Sequence, residues 1–550
     1  MKKHIKYIIG FSTLVIVTST GCKKDFFNRP PENQATVGTY YQTTAEVQSS
    51  TNILYAAPWF GFNGKAFLAI GDLQSGNARC DAGTDGEFDA FRNFSEGNAT
   101  LAVQSTWNSL YTVIAQANAL LNNLPTAAPA SVPTAVVNNA LGEARLMRAA
   151  AYFYLVRLFG NVPIITNPAP FVGSFQTVPT NPVTDVYKFM IIDLQFAEAN
   201  CTPGVANTGH VSSASASALL SKVYLYEQDY ADAKTEAEKV INSGEFGLLG
   251  LDNTSGTYVN LFETAFNNNL ESIIALQWTS NGGYGFGNQI QSVIADGENG
   301  NYLTGTGDGY GELGPTWDLQ DAFKAEGDTI RRHGCIMLPG EYYPELHKAE
   351  GGYTVPLAVN EQGTHASMKK YVVGTPADNN GNSAAQATSN NTYIMRYADV
   401  YLIEAEAIIG ISSGTTPGKG IPLSASSSDP TALKYLNLVR QRAGVPALTS
   451  FTYQQLINER RLEFAIEGDY WYDLQRLDGF NSATHPVAEA IIAAQNRGGS
   501  SGSGTAPLYI DWTRNTLYIP ATDANFLMPI PATDVAADPA LTGSPVPYKF

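Results

Sequence analysis

Asn458-Glu459-Arg460-Arg461-Leu462-Glu463-Phe464-Ala465-Ile466-Glu467-Gly468-Asp469-Tyr470-Trp471-Tyr472-Asp473-Leu474-Gln475-Arg476-Leu477 is the stretch on which the reading of the chain turns. Leu456, Ile457, Leu462, Phe464, Ala465 and Ile466 recur near helical spacing, so a helix buries one face here. Gly468 suits the position just past a helix end, and Tyr470-Trp471-Tyr472 packs an aromatic turn before Leu474 and Leu477. Glu459, Glu463 and Glu467 follow one another at one-turn intervals, with Arg460, Arg461 and Arg476 close by. Acid–base catalysis is one reading of such carboxylates. A partly buried ion-pair network that fixes a helix corner is the commoner one, and it is preferred.

Working outward, the same helical grammar recurs. Glu143-Ala144-Arg145-Leu146-Met147-Arg148-Ala149-Ala150-Ala151-Tyr152-Phe153-Tyr154-Leu155 is an alanine-rich helix whose small faces allow close approach, stopped by Gly160-Asn161-Val162-Pro163. Trp107 opens another helix, in phase with Ile114, Ala117 and Leu121, and belongs to the core. Ser217 to Gly244 places Leu220, Ser221 and Tyr224 on one helix and Ala233, Ala237 and Val240 on the next, the pattern of a tetratricopeptide pair. Ala102–Leu124 with Val136–Phe159, and Tyr397–Gly410 with Leu433–Ala443, are looser pairs of the same kind. Repeats of this sort stack into a curved solenoid and serve binding far more often than catalysis.

Between Phe246 and about Asn391 the pattern changes. Ile273 to Trp278 reads as a strand, followed by Asn281-Gly282-Gly283-Tyr284-Gly285-Phe286-Gly287, which lacks the lysine or Ser/Thr of a phosphate loop. Asp318 and Asp321, a lone pair on one helix turn, do not make a metal site. The chain of 550 residues is 44% hydrophobic and 15% charged, enough for a large core, and its net charge of −17 argues against nucleic acid as a partner.

At the N-terminus, Lys2, Lys3 and Lys6 precede an apolar run from Ile8 to Val17, and Ser19-Thr20-Gly21-Cys22 reads as a lipobox. Residues 1–21 are therefore expected to be a lipoprotein signal peptide, Cys22 the lipidated residue, and 22–43 a tether from an acylated, membrane-anchored start. Cys80, Cys201 and Cys335 remain, with no metal-binding spacing and room for at most one disulfide. Gly498–Gly504 reads as a flexible linker.

The opening stretch resembles the Glu-Arg-Arg-x-Glu … Glu-Gly-x-x-Trp-x-Asp-Leu-x-Arg signature of the SusD/RagB family of outer-membrane nutrient-binding lipoproteins. The 143–155 helix resembles that family's Glu-Ala-x-x-x-Arg-Ala-x-x-Tyr-x-x-Leu. Arg396-Tyr397-Ala398-Asp399-Val400, Leu436-Asn437-Leu438-Val439-Arg440-Gln441-Arg442-Ala443-Gly444 and Met528-Pro529-Ile530-Pro531 resemble three further signatures, in the family's order. The resemblance implies a mainly α fold, a tetratricopeptide-like helical solenoid with a variable loop- and strand-rich insertion. Residues 44–550 would form one domain, with scaffold at about 44–245 and 392–550 and the insertion at about 246–391.

It further implies a lipid-anchored protein on the exterior of the outer membrane. Such a protein binds an oligosaccharide and delivers it to a SusC-like TonB-dependent transporter, without a cofactor and without catalysis. A peptide ligand, as in RagB-like members, is the alternative; a glycoside hydrolase or a purely structural partner of the transporter stands further off. Recognition would then use loop aromatics stacking on sugar faces: Trp59, Phe60, Tyr284, Phe286, Tyr302, Tyr310 and Trp317, with Asp72, Asn77 and Arg79 as polar partners. Trp278 and Trp471 are assigned to the core, and Trp512 to either group.

Overall fold

Helices adjacent in sequence pack on one another from the start. A computed structural model describes residues 40–168, 178–204, 208–251, 256–297, 300–500 and 512–550; the signal segment, Cys22 and most of the tether lie outside them. Helix α1 spans Leu101–Ala127, α2 Thr134–Phe159, α3 Val183–Asn200, α4 Ser213–Glu227 and α5 Tyr230–Ser243, each packing against the next. Helix α1 starts ahead of Trp107 because a distant carboxylate caps it: the amides of Leu101 and Ala102 donate to Glu87 at 3.2 and 2.6 Å. Helix α3 is an element the sequence reading did not contain. Its place is fixed by Arg148 of α2, which donates to both Asp193 oxygens on α3 at 2.8 Å and to Asn118 on α1 at 2.6 Å.

After α5 the chain leaves the stack. Strand Ser272–Leu276 pairs antiparallel with Thr392–Arg396, and between them run short strand pairs, turns and short helices, among them α6 (Trp317–Glu326) and α7 (Thr329–Cys335). The stack then resumes with α8 (Tyr397–Ser412), which packs on α5 and α4 before α9 (Pro430–Arg442) and α10 (Tyr453–Glu463) pack on it. Contact between α5 and α8 is close. A Cβ at Gly410 would lie 2.4 Å from the Tyr230 ring. The architecture is mainly α, a tetratricopeptide-like helical stack interrupted by an irregular segment. Cys80, Cys201 and Cys335 are free and buried.

The preferred reading of the opening stretch holds, on a larger scale than its own residues. Helix α10 ends at Glu463, whose carboxylate accepts from Arg396 at 2.5 Å, Arg331 at 3.1 Å and Arg442. Arg396 and Arg442 also share Glu271, at 2.7 and 2.5 Å, and Arg396 forks onto both oxygens of Glu467 at 2.8 and 2.7 Å. Lys370 reaches Glu467 at 2.8 Å, and Glu459 bridges Arg331 and Arg440 at 2.6 and 2.5 Å. On the other face of α10, Arg460 holds Asp399 of α8 and Asp473 of α11 (Tyr470–Gln475), both at 2.8 Å. All these side chains are buried.

Desolvation alone would push the Glu463 carboxyl up, but Arg442, Arg396 and Arg331 hold it well below the usual carboxylate range. Asp399 is held down in the same way by Lys222 and Arg460. Removing one partner of such a cluster leaves uncompensated charge in a low-dielectric interior. Glu463→Ala is therefore expected to destabilise the fold by about 3–5 kcal/mol, measured by denaturant unfolding; a change under about 1 kcal/mol would contradict a structural role for the network. A carboxyl whose pKa falls on folding stabilises the folded state above its unfolded value near 4.5, and loses that contribution as pH drops below it. The unfolding midpoint should accordingly fall steeply below about pH 4. A flat profile to about pH 3 would count against the assigned charges.

Candidate functional site

Five aromatic side chains stand out of the irregular segment into solvent: Tyr284 (65% exposed), Phe286 (51%), Tyr302 (51%), Tyr310 (48%) and, on a separate strand pair, Tyr342 (51%). The loop that carries the first two is shaped by its glycines. Gly283 and Gly285 have φ of 69° and 94°, conformations that favour glycine, and a Cβ at Gly282 would lie 2.4 Å from that of Phe286. The loop closes through the Thr279 amide, which donates to the Phe286 carbonyl at 3.0 Å. It is stapled at its far end by reciprocal 2.8 Å bonds between the backbones of Asn288 and Thr388.

Thr388 belongs to a hairpin, Ser383–Ala384 with Ala387–Thr388, whose turn residue Gln386 donates through Nε2 to the Tyr310 hydroxyl at 3.2 Å. Asp308 fixes that turn, accepting from the Gln386 amide at 2.6 Å and from Ser292 at 2.5 Å. Phe60 is half-buried and joins this surface to the core, edge-on to Tyr284 (4.8 Å between ring centres) and to buried Trp278 (6.5 Å). Phe60 thus meets the Tyr284–Phe286 loop through its ring, and Tyr310 is linked to that loop through Gln386 and the stapled hairpin. Tyr302 stands apart from this set. It stacks on His347 at 4.0 Å and donates to Glu350 at 2.6 Å.

Five other candidates are buried, which corrects their reading as exposed ligand contacts. Trp59 has no exposed surface; it sits in a 3₁₀ turn and donates its indole N–H to the Leu54 carbonyl at 2.8 Å. Asp72 accepts from the amides of Ile466 and Gly468, both at 2.9 Å, and from Asn77 at 3.1 Å, so it secures the turn after α10. Burial pushes its carboxyl up to about 6 against those bonds. Backbone contact is close here too, since a Cβ on Gly71 would lie 2.2 Å from the Gly468 Cα. Asn77 accepts from Arg461 at 2.8 Å, and Arg79 donates to the Arg497 carbonyl at 3.1 Å. Trp317 is buried under Arg514, whose guanidinium lies 4.4 Å from its ring centre.

The core assignments of Trp107, Trp278 and Trp471 agree with their burial. Trp512 is half-buried and stacks on His365 at 3.5 Å. Gly498–Ser500, the described part of the expected linker, is held in place, with the Ser500 amide donating to Gly363 and Asn515 donating to Gly499. Gln386 was missed by the sequence reading; its signal is a polar turn residue at φ 51° in a short hairpin. Among the described residues no helix is long and apolar enough to cross a membrane.

Comparison with known proteins gives a consistent result. A family model described as the SusD family matches residues 270–546, and one described as starch-binding, associating with the outer membrane, matches 90–225. A SusD-like protein of Bacteroides ovatus is 31% identical, with 98% of each chain covered. A SusD-like protein P2 of Formosa agariphila is 29% identical over 88% of this chain and 92% of its own. A solved structure described as a complex with xylogluco-oligosaccharide superposes with a TM-score of 0.77 at 28% identity, covering 92% of this chain and 99% of that one.

Asp72→Ala tests the correction. It strips two backbone N–H groups of their acceptor, and is expected to cost about 2–3 kcal/mol of stability. Loss of ligand binding at unchanged stability would return Asp72 to the ligand.

Proposed function

We propose that this chain, which belongs to the SusD family, is a non-catalytic lipoprotein of the outer membrane that captures an oligosaccharide on the Phe60–Tyr284–Phe286–Tyr310 surface and passes it to a SusC-like TonB-dependent transporter. The observation that carries the reading is the rigid presentation of exposed rings. Solvating large aromatic faces is costly, and here two glycines in left-handed conformations and a stapled hairpin keep those faces turned outward. A pyranose ring offers an apolar C–H face to such a ring and a rim of hydroxyls to neighbours such as Gln386. Stacking needs no proton transfer, and Asp308, the carboxylate beside this surface, is engaged by Ser292 and the hairpin turn. The relative described with xylogluco-oligosaccharide supports sugar as the ligand class. Anchoring through Cys22 supports placement at the membrane, since acyl chains on one residue hold a protein to a bilayer without a spanning helix.

The full chain in detergent, run through gels containing a panel of polysaccharides and assayed for new reducing ends, tests this. Retardation by a glycan without product is expected. Tyr284→Ala combined with Phe286→Ala should weaken that binding by about tenfold or more, at roughly 1 kcal/mol per stacked ring. Release of reducing ends would replace capture with hydrolysis. No retardation, with binding of peptides instead, would assign the surface to the peptide-binding alternative.

A further inference from the structure

A cleft elsewhere in the fold shares no lining residue with the exposed aromatic surface. The cleft between α6, the start of α7 and the segment 512–514 has a volume of about 240 Å³ and is lined by Trp317, Phe323, Leu338, Pro339, His365 and Trp512, with Lys324 and Arg514 among the polar residues at its wall. None of Phe60, Tyr284, Phe286 or Tyr310 lines it.

The imidazole of His365 lies flat against Trp512, with ring centres 3.5 Å apart and planes 5° apart, and Trp317 lies 6.4 Å away at 43°. His365 is aimed by strained backbone: its φ is 47°, and its amide donates to Asn360 Oδ1 at 2.9 Å. Trp317 and His365 pack into this wall with little exposed surface. Burial lowers the pKa of His365, which disfavours its charged form.

Most charges around the cleft are already matched. Arg514 forks onto Asp321, Arg332 pairs with Glu341 and Asp328 with Arg331. Lys324 is exposed and shows no ion pair among the described residues, which leaves one cation at the wall. The volume is below the ~300–1,000 Å³ of pockets that hold larger ligands, so the cleft fits one ring and not a chain.

We propose that this cleft binds a single acidic sugar ring, a uronate, with its C–H face against the half-buried ring of Trp512 and its carboxylate meeting Lys324. The site goes beyond the capture surface and borrows from that reading only the choice of a sugar as the ring. It would let the protein recognise an acidic branch or chain end separately from the stacked backbone of a glycan.

Titration of the full chain in detergent with methyl β-D-glucuronide and methyl β-D-glucoside, followed by tryptophan fluorescence, tests the proposal. The glucuronide is expected to give a saturable change with Kd on the order of 1 mM. The glucoside should bind about tenfold more weakly. Lys324→Ala should bring the glucuronide to the glucoside's affinity, and Trp512→Ala should abolish the response. The Tyr284→Ala, Phe286→Ala double variant should keep it while losing polysaccharide retardation. No saturable response, equal affinity for the two glycosides, or a response that survives Trp512→Ala would overturn the proposal. Each of those results leaves the capture surface to stand or fall on the polysaccharide assay alone.

Discussion

One buried carboxylate, Glu463, holds together parts of the chain that are far apart in sequence. It receives Arg331 from the irregular segment, Arg396 from the strand that closes that segment, and Arg442 from the end of α9. Strand, helix and insertion are thereby tied to one buried carboxylate. Nearby carboxylates extend the constraint: Glu271 immediately precedes the partner strand and Glu467 lies in the turn that wraps Asp72. Hydrophobic burial is non-directional and would tolerate some slippage of helix on helix. A forked, hydrogen-bonded ion network does not, and this is how the junction between the stack and the irregular segment acquires one geometry.

That junction explains a division of labour among polar residues. Asp72, Asn77 and Arg79 fall on a glycine-containing polar stretch, the composition of a ligand loop, yet they are buried and bond inside the molecule to the turn after α10, to Arg461 and to the Arg497 carbonyl. Residues that brace the scaffold in this way are not free to meet a ligand. The outward-facing groups come instead from loops whose backbone is held and whose rings are not. Tyr284, Phe286 and Tyr310 hang on bonded turns, and few partners inside the protein compete for their faces.

The exposed surface and the enclosed cleft suit different tasks. On the proposed reading, open aromatic faces would accept an extended chain in several registers, and a cleft lined by two indoles and an imidazole, with a lysine at its wall, would select for one ring and for its charge. Family membership fixes the scaffold on which both sit. What each takes is decided by residues outside the shared signatures, in the segment between the paired strands and in the return of the chain at 512–514.

The sequence by itself determined the helical stack, the family and the structural character of the Glu459–Arg476 stretch, because one-turn spacing, small-residue faces and paired charges are local properties. Placing Trp107, Trp278 and Trp471 in the core was legible for the same reason: each lies in phase with an apolar pattern. Trp59 and Trp317 were not legible, since their burial depends on a turn that folds back to the Leu54 carbonyl and on an arginine about two hundred positions away. The extent of the ion network was hidden likewise, as Arg331 and Arg396 meet Glu463, and Glu271 meets Arg396 and Arg442, only across the folded chain. Local spacing reports which face of a helix is apolar. Which loop side chains keep their exposure, and which polar groups are left without a partner, is decided by long-range packing, and only the tertiary structure contains that.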